Sequence, residues 1–224
     1  MTFPFLRRTS LALGAAAVLL SVAACSSAGG SAAPASSAPA PSAAAACPTS
    51  QPPALPAGET RTVTINTALG DIVMKADADL SPIAVGNFVA LADCGFYDGV
   101  VFHRVVPGFV IQGGDGEHGR TPDVDPALVG TGGPGYTIED EPVTSTYGRG
   151  VVAMARSNQP DSVGSQFFIV LDDKATDVLA SYNTYQIIGA VTSGMETADA
   201  IAAAADAESP SHPVVMTKVS VAQP

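Results

Sequence analysis

Short apolar runs, most of them alternating with polar positions, dominate the chain from residue 61 onward. Thr62-Val63-Thr64-Ile65-Asn66 alternates with the period of two expected of a half-buried strand. Leu69-Gly70-Asp71 supplies turn residues, and Ile72-Val73-Met74 continues as a hairpin partner. Further runs at 100–105, 109–113, 150–155, 166–170, 186–191 and 214–221 bring the predicted strands to eight. Two segments change period. Ser81-Pro82 offers an N-cap and a proline at the first helical position, Val85, Phe88, Val89 and Ala92 share one helical face, and Gly95 terminates the pattern. Ser193-Gly194-Met195-Glu196 reads as a capping box opening a second helix over 195–205.

Eight strands with two helices do not make a parallel βαβ sheet, which needs a crossover helix for each strand pair. The pattern predicts a mainly β fold: a closed, antiparallel eight-stranded barrel with no free edges and a helix capping each end.

The N-terminal part has another character. Arg7-Arg8 precedes the short apolar run 11–20, and Val22-Ala23-Ala24-Cys25 resembles a bacterial lipobox. Residues 1–24 are therefore expected to be a lipoprotein signal peptide and Cys25 the lipidated residue; the alternative is an ordinary secretory signal. From Ser26 to Ala46 every residue is Ala, Ser, Gly or Pro, and prolines continue to Pro56. Such a stretch has nothing to bury against the entropy of ordering it. Residues 25–60 read as a tether that would hold a domain of residues 61–224 roughly 30 Å from its anchor. The expected location is outside the cytoplasm, lipid-anchored to the cell membrane or else secreted. There the two cysteines beyond Cys25, Cys47 and Cys94, would be free to pair, the alternative being a buried free Cys94.

The formal net charge of −11 leaves no basic footprint for nucleic acid. Asp115, Glu117, His118, Asp123 and Asp125 lack the glycine and terminal glutamate of a calcium loop and read as a solvated acidic segment; no metal or cofactor is expected. Gly130-Thr131-Gly132-Gly133-Pro134-Gly135 lacks the Lys-Ser/Thr of a phosphate cradle and reads as turns.

The candidate chemistry lies in Val101-Phe102-His103-Arg104-Val105-Val106-Pro107-Gly108-Phe109-Val110-Ile111-Gln112-Gly113-Gly114-Asp115. Two short strands joined at Pro107-Gly108 would place a guanidinium, an amide and an aromatic ring on one surface. This run, with Gly164-Ser165-Gln166-Phe167-Phe168-Ile169-Val170, resembles the two signature segments of the cyclophilin family of peptidyl-prolyl cis-trans isomerases. The resemblance covers residues 62–221 and implies a cyclophilin-like barrel that rotates X–Pro bonds in exported polypeptides. It implies Arg104, Gln112, Phe109 and His103 as catalytic residues, with Gln112 holding Arg104. Phe102, Val110, Met154, Ala155, Arg156, Phe168, Leu179 and Tyr185 are implied as the substrate-binding set, while Phe167 is expected to point inward. The implied partners are proline-containing peptides and unfolded exported proteins, the protein acting as a monomer that meets the membrane only through its lipid. The chain has no Trp, so the indole with which many members bind cyclosporin is absent, and Val178 is the expected occupant of its place. A peptide-binding chaperone on the same fold is the competing reading; a pure binder would have no need of Arg104.

Overall fold

The computed structural model describes residues 46–222; the expected signal segment, Cys25 and the first part of the tether lie outside them. Eight antiparallel strands appear: β1 Thr60–Thr67, β2 Gly70–Asp77, β3 Arg104–Val106, β4 Val110–Gly113, β5 Val151–Met154, β6 Phe167–Val170, β7 Ile187–Ser193 and β8 Met216–Val221. Their order is β3-β4-β6-β5-β7-β2-β1-β8. The sheet curls but does not close, which corrects the predicted closed barrel. Its ends, β3 and β8, are not paired as strands. Upstream of β3, Val101 forms an isolated bridge with Val215, Phe102 N donates to Val214 O at 2.9 Å, and Met216 N donates to Val100 O at 2.8 Å. The reason is local. β3 is only three residues long, and its free edge is covered by a loop, with Val105 N donating to Glu208 O at 2.8 Å.

Among the described residues three α-helices rather than two accompany the sheet: α1 Pro82–Asp93, α2 Thr176–Tyr182 and α3 Met195–Ala204. Neither expected cap forms through its own serine. Ser81 precedes α1 without a side-chain cap bond; the carboxylate of Glu141, from a distant loop, accepts from Ile83 N and Ala84 N, both at 2.9 Å. At α3 the N-cap is Gly194, with φ +89°, so no Ser–Glu box forms. A Cβ there would stand 2.1 Å from Asp71 O, and the close passage of the β1–β2 hairpin demands the glycine.

Inside the curl, Phe167 is ringed edge-on by Phe88, Tyr97 and Phe102 at centroid distances of 5.2, 5.6 and 6.3 Å. Ile65, Ile72, Met74, Ile111, Met154 and Ile169 fill the same core. A second apolar cluster lies on the other face, built from Val110, Tyr147, Ala153, Phe168, Val170, Leu179 and Ile187.

Cys47 is disulfide-bonded to Cys94, just beyond α1, so the pairing alternative is the one found. From there the chain runs as a strap along the domain. Glu139 N donates to Gln51 Oε1 (2.9 Å), Leu55 N to Pro82 O (3.0 Å) and Gly58 N to Asp79 Oδ1 (2.8 Å). Gly86 of α1 makes room for it: a Cβ would lie 2.4 Å from Pro53 O.

Candidate active site

The site begins with a tight turn. Pro107 and Gly108 occupy the centre of Val106–Phe109, Gly108 has φ +72°, and Phe109 N donates to Val106 O at 2.9 Å. Proline at the second position and a left-handed glycine at the third are what a type II turn requires. The turn sets the β3–β4 register, with Arg104 opposite Gln112. On the next strands Gln112 faces Phe168 and Phe168 faces Ala153. Residues opposite one another in antiparallel strands share a face. One rung therefore carries the guanidinium, the amide and the aromatic ring.

That rung floors a cleft of about 460 Å³ lined by Arg104, Phe109, Val110, Gln112, Ala155, Arg156, Asn158, Phe168, Val178, Leu179, Tyr182 and Tyr185. Helix α2 provides the wall with Val178, Leu179 and Tyr182. Tyr185 stands edge-on to Phe168, and its backbone is held by Tyr147, whose hydroxyl donates to Tyr185 O (2.9 Å) and accepts from Tyr185 N (3.2 Å). Burial pushes the Tyr147 phenol up to about 12, so it stays protonated for this work.

Nine of the expected residues are thus brought together: Arg104, Phe109, Val110, Gln112, Ala155, Arg156, Phe168, Leu179 and Tyr185. Three are not. Phe102 and Met154 are fully buried in the inner core, Met154 because it pairs with the inward Phe167. His103 is only 7 % exposed and lines a separate cavity with Val124, Val129 and Pro210. Burial, helped by the nearby Arg104 charge, pulls its imidazole below the usual value against the opposing pull of Asp115. A ring buried beside a separate cavity, outside the cleft, is not placed to exchange protons with a bound peptide.

Gln112 also departs from expectation. Its Nε2 donates to Gln166 Oε1 at 3.0 Å rather than engaging Arg104. Gln166 Nε2 in turn donates to Gly130 O and Gly132 O, each at 2.9 Å. The N–H groups of those two glycines donate to Asp115 Oδ2 at 2.7 and 3.0 Å, while Asp115 Oδ1 accepts from Glu117 N and His118 N. Asp115 is fully buried, so it is not part of a solvated acidic face. Burial raises its carboxyl, but the four backbone N–H bonds outweigh that and hold it below the ordinary value. The Gly130–Gly135 turns are thereby lashed to the cleft, and beyond Gln112 and Arg156 they wall an adjoining depression of about 640 Å³. Arg156 itself is largely spoken for, with Nη1 on Asp140 Oδ1 at 2.8 Å and Nη2 on Gln159 O at 2.7 Å.

The family model described as cyclophilin type peptidyl-prolyl cis-trans isomerase/CLD matches residues 62–221. The chain belongs to the cyclophilin family. It is 39% identical over 154 residues to a probable peptidyl-prolyl cis-trans isomerase of Brucella abortus, covering 68% of this chain and 76% of that one. Peptidyl-prolyl cis-trans isomerase B of Bacillus subtilis is 44% identical over 122 residues, covering 54% of this chain and 75% of its own. Among solved structures, a Cryptosporidium parvum cyclophilin type isomerase superposes with a TM-score of 0.59 at 27% identity, covering 74% of this chain and 99% of that chain. A second structure of that protein, in the presence of the dipeptide Ala-Pro, gives 0.58 at 27% identity, covering 73% and 99%. The protein is a cyclophilin-type peptidyl-prolyl cis-trans isomerase.

Proposed function

We propose that this cyclophilin isomerises X–Pro bonds of polypeptides outside the cytoplasm, and that Arg104 supplies the catalytic hydrogen bond. Amide resonance sets a barrier of about 18–20 kcal/mol to the rotation. No covalent bond is made or broken, so the reaction calls for an apolar seat for the proline ring and a donor aimed at the twisted amide. As the bond twists, the prolyl nitrogen becomes pyramidal and gains a lone pair. A guanidinium donating to it favours the transition state over either planar ground state.

The observation that carries this reading is the placement of Arg104 beside Phe109, Val110 and Phe168 in a cleft walled by Leu179. No hydrogen bond among the described residues engages Nη1 or Nη2 of Arg104, which leaves that edge of the fork for a substrate. Proline-containing peptides as substrates fit the Ala-Pro dipeptide used with the Cryptosporidium relative. Action outside the cytoplasm and a lipid anchor at Cys25 rest on the N-terminal sequence, and the Cys47–Cys94 bond suits an oxidising compartment.

The test is a protease-coupled proline-peptide assay on wild type and Arg104→Ala. A transition-state donor of this type contributes about 10²-fold or more. We expect at least ~10²-fold slower turnover in a variant that folds normally. Equal rates would transfer the protein's role to peptide binding alone.

A further inference from the structure

We infer that Glu208 is a positioning residue for the isomerase reaction: it holds the Nε side of Arg104 so that the Nη edge of the fork faces the cleft. The inference rests on the catalytic role proposed for Arg104. Glu208 lies in the loop between α3 and β8, outside both signature segments, and grips β3 at two consecutive residues. Its side-chain Oε1 accepts from Arg104 Nε at 2.7 Å, and its main-chain carbonyl accepts from Val105 N at 2.8 Å. The second bond fixes the backbone from which the carboxylate reaches. The loop itself has little freedom: Asp206 accepts from both the N–H and the hydroxyl of Ser211, and Pro210 and Pro213 restrict the backbone on either side of that serine.

Gln112 is opposite Arg104 but is committed to Gln166, so it does not orient the guanidinium. Arg104 is 37 % exposed at its side chain, and an arginine so placed has many rotamers unless something selects one. A carboxylate beside a cation could act in two ways. It could damp the charge that the reaction uses, or it could aim the donors. The developing lone pair is neutral and takes a directed hydrogen bond, and both partners sit in solvent where charge is screened. Aim outweighs damping. Binding through Nε also leaves Nη1 and Nη2 available, whereas a fork–fork pair would occupy part of that edge.

Wild type, Glu208→Ala, Glu208→Gln and Arg104→Ala, each as the full chain, separate the alternatives. Glu208→Ala should lower kcat about three- to tenfold with KM within about twofold, a smaller loss than removing the donor. Glu208→Gln keeps an acceptor at the same place and should stay within about twofold of wild type. The Arg104 Nε–H resonance should exchange slowly in wild type and Glu208→Gln and be broadened in Glu208→Ala. Glu208 is exposed, so thermal midpoints should agree across its variants. A slow Arg104→Ala beside a Glu208→Ala at or above the wild-type rate overturns this inference while sparing the role of Arg104. Glu208→Gln as slow as Glu208→Ala overturns it too, because charge would then be the requirement. A fully active Arg104→Ala sinks the reading on which it rests.

Discussion

Tyr185 meets Phe168 edge to face, with ring centroids 5.3 Å apart and planes at 87°. The contact closes the apolar end of the cleft against the strand that carries its floor. An aromatic pair of this geometry contributes about 0.5–1.5 kcal/mol beyond the area it buries. Tyr185→Ala should therefore raise KM for a proline peptide by up to about tenfold while leaving kcat within a few-fold, since Arg104 is untouched. Steady-state kinetics separate this from Arg104→Ala, for which kcat falls. A Tyr185→Ala enzyme with unchanged KM would show that the wall does not touch the substrate.

The carboxylate of Asp115 gives the domain an acid-sensitive joint. Its folded value is depressed, so it adds stability at and above the ordinary carboxylate range, and that contribution is lost as pH falls through the folded value. Asp115→Asn puts an amide donor among four N–H donors, at a cost of about 1–3 kcal/mol. Urea midpoints should differ clearly between variant and wild type at pH 7, and the gap should narrow at pH 3 and below. A gap independent of pH would mean that shape rather than charge holds the loop.

Much of this was legible in the sequence, and the exceptions share a cause. Strand positions and the Pro107-Gly108 turn follow from local pattern, and the cleft-facing Phe168 from the resemblance of 164–170 to a signature segment. Met154 could not be assigned from its neighbours, because its inward direction depends on pairing with Phe167. Phe102 and His103 precede β3, where alternation has not yet begun. Glu141 capping α1 and Glu208 holding Arg104 are contacts between residues 57–58 and 104 apart in the chain, and no motif announces them. Helix α2, at 7 residues, is too short to display a period.

Cyclosporin should be a weak inhibitor. Many cyclophilins present an indole N–H to it, and here Val178, half exposed on the cleft wall, has no donor. A lost partner for a buried acceptor costs about 1–3 kcal/mol, or about five- to 150-fold in affinity. Val178→Trp should recover part of that in an inhibition titration. Tight inhibition of the wild type would require another donor at the same place.

Reduction of the Cys47–Cys94 bond should lower the melting point without abolishing activity. The residues are 47 apart, and for a loop of that size the chain-entropy treatment suggests about 4 kcal/mol. Scanning calorimetry with and without reductant, against Cys47→Ser/Cys94→Ser, measures it. Identical melting points would assign the strap's hold to Leu55, Gln51 and Gly58 alone.

The same bond alters how a mechanical load would enter the domain. β1, β2 and α1 all lie between Cys47 and Cys94 in the chain. Tension applied to the chain before Cys47 crosses the sulfur bridge directly to Cys94 and bypasses all three elements. β1 cannot be unzipped from β2 or β8 by pulling at that end. While the bridge is intact, the domain resists peeling from its N-terminal side as though its first strand were buried in mid-chain.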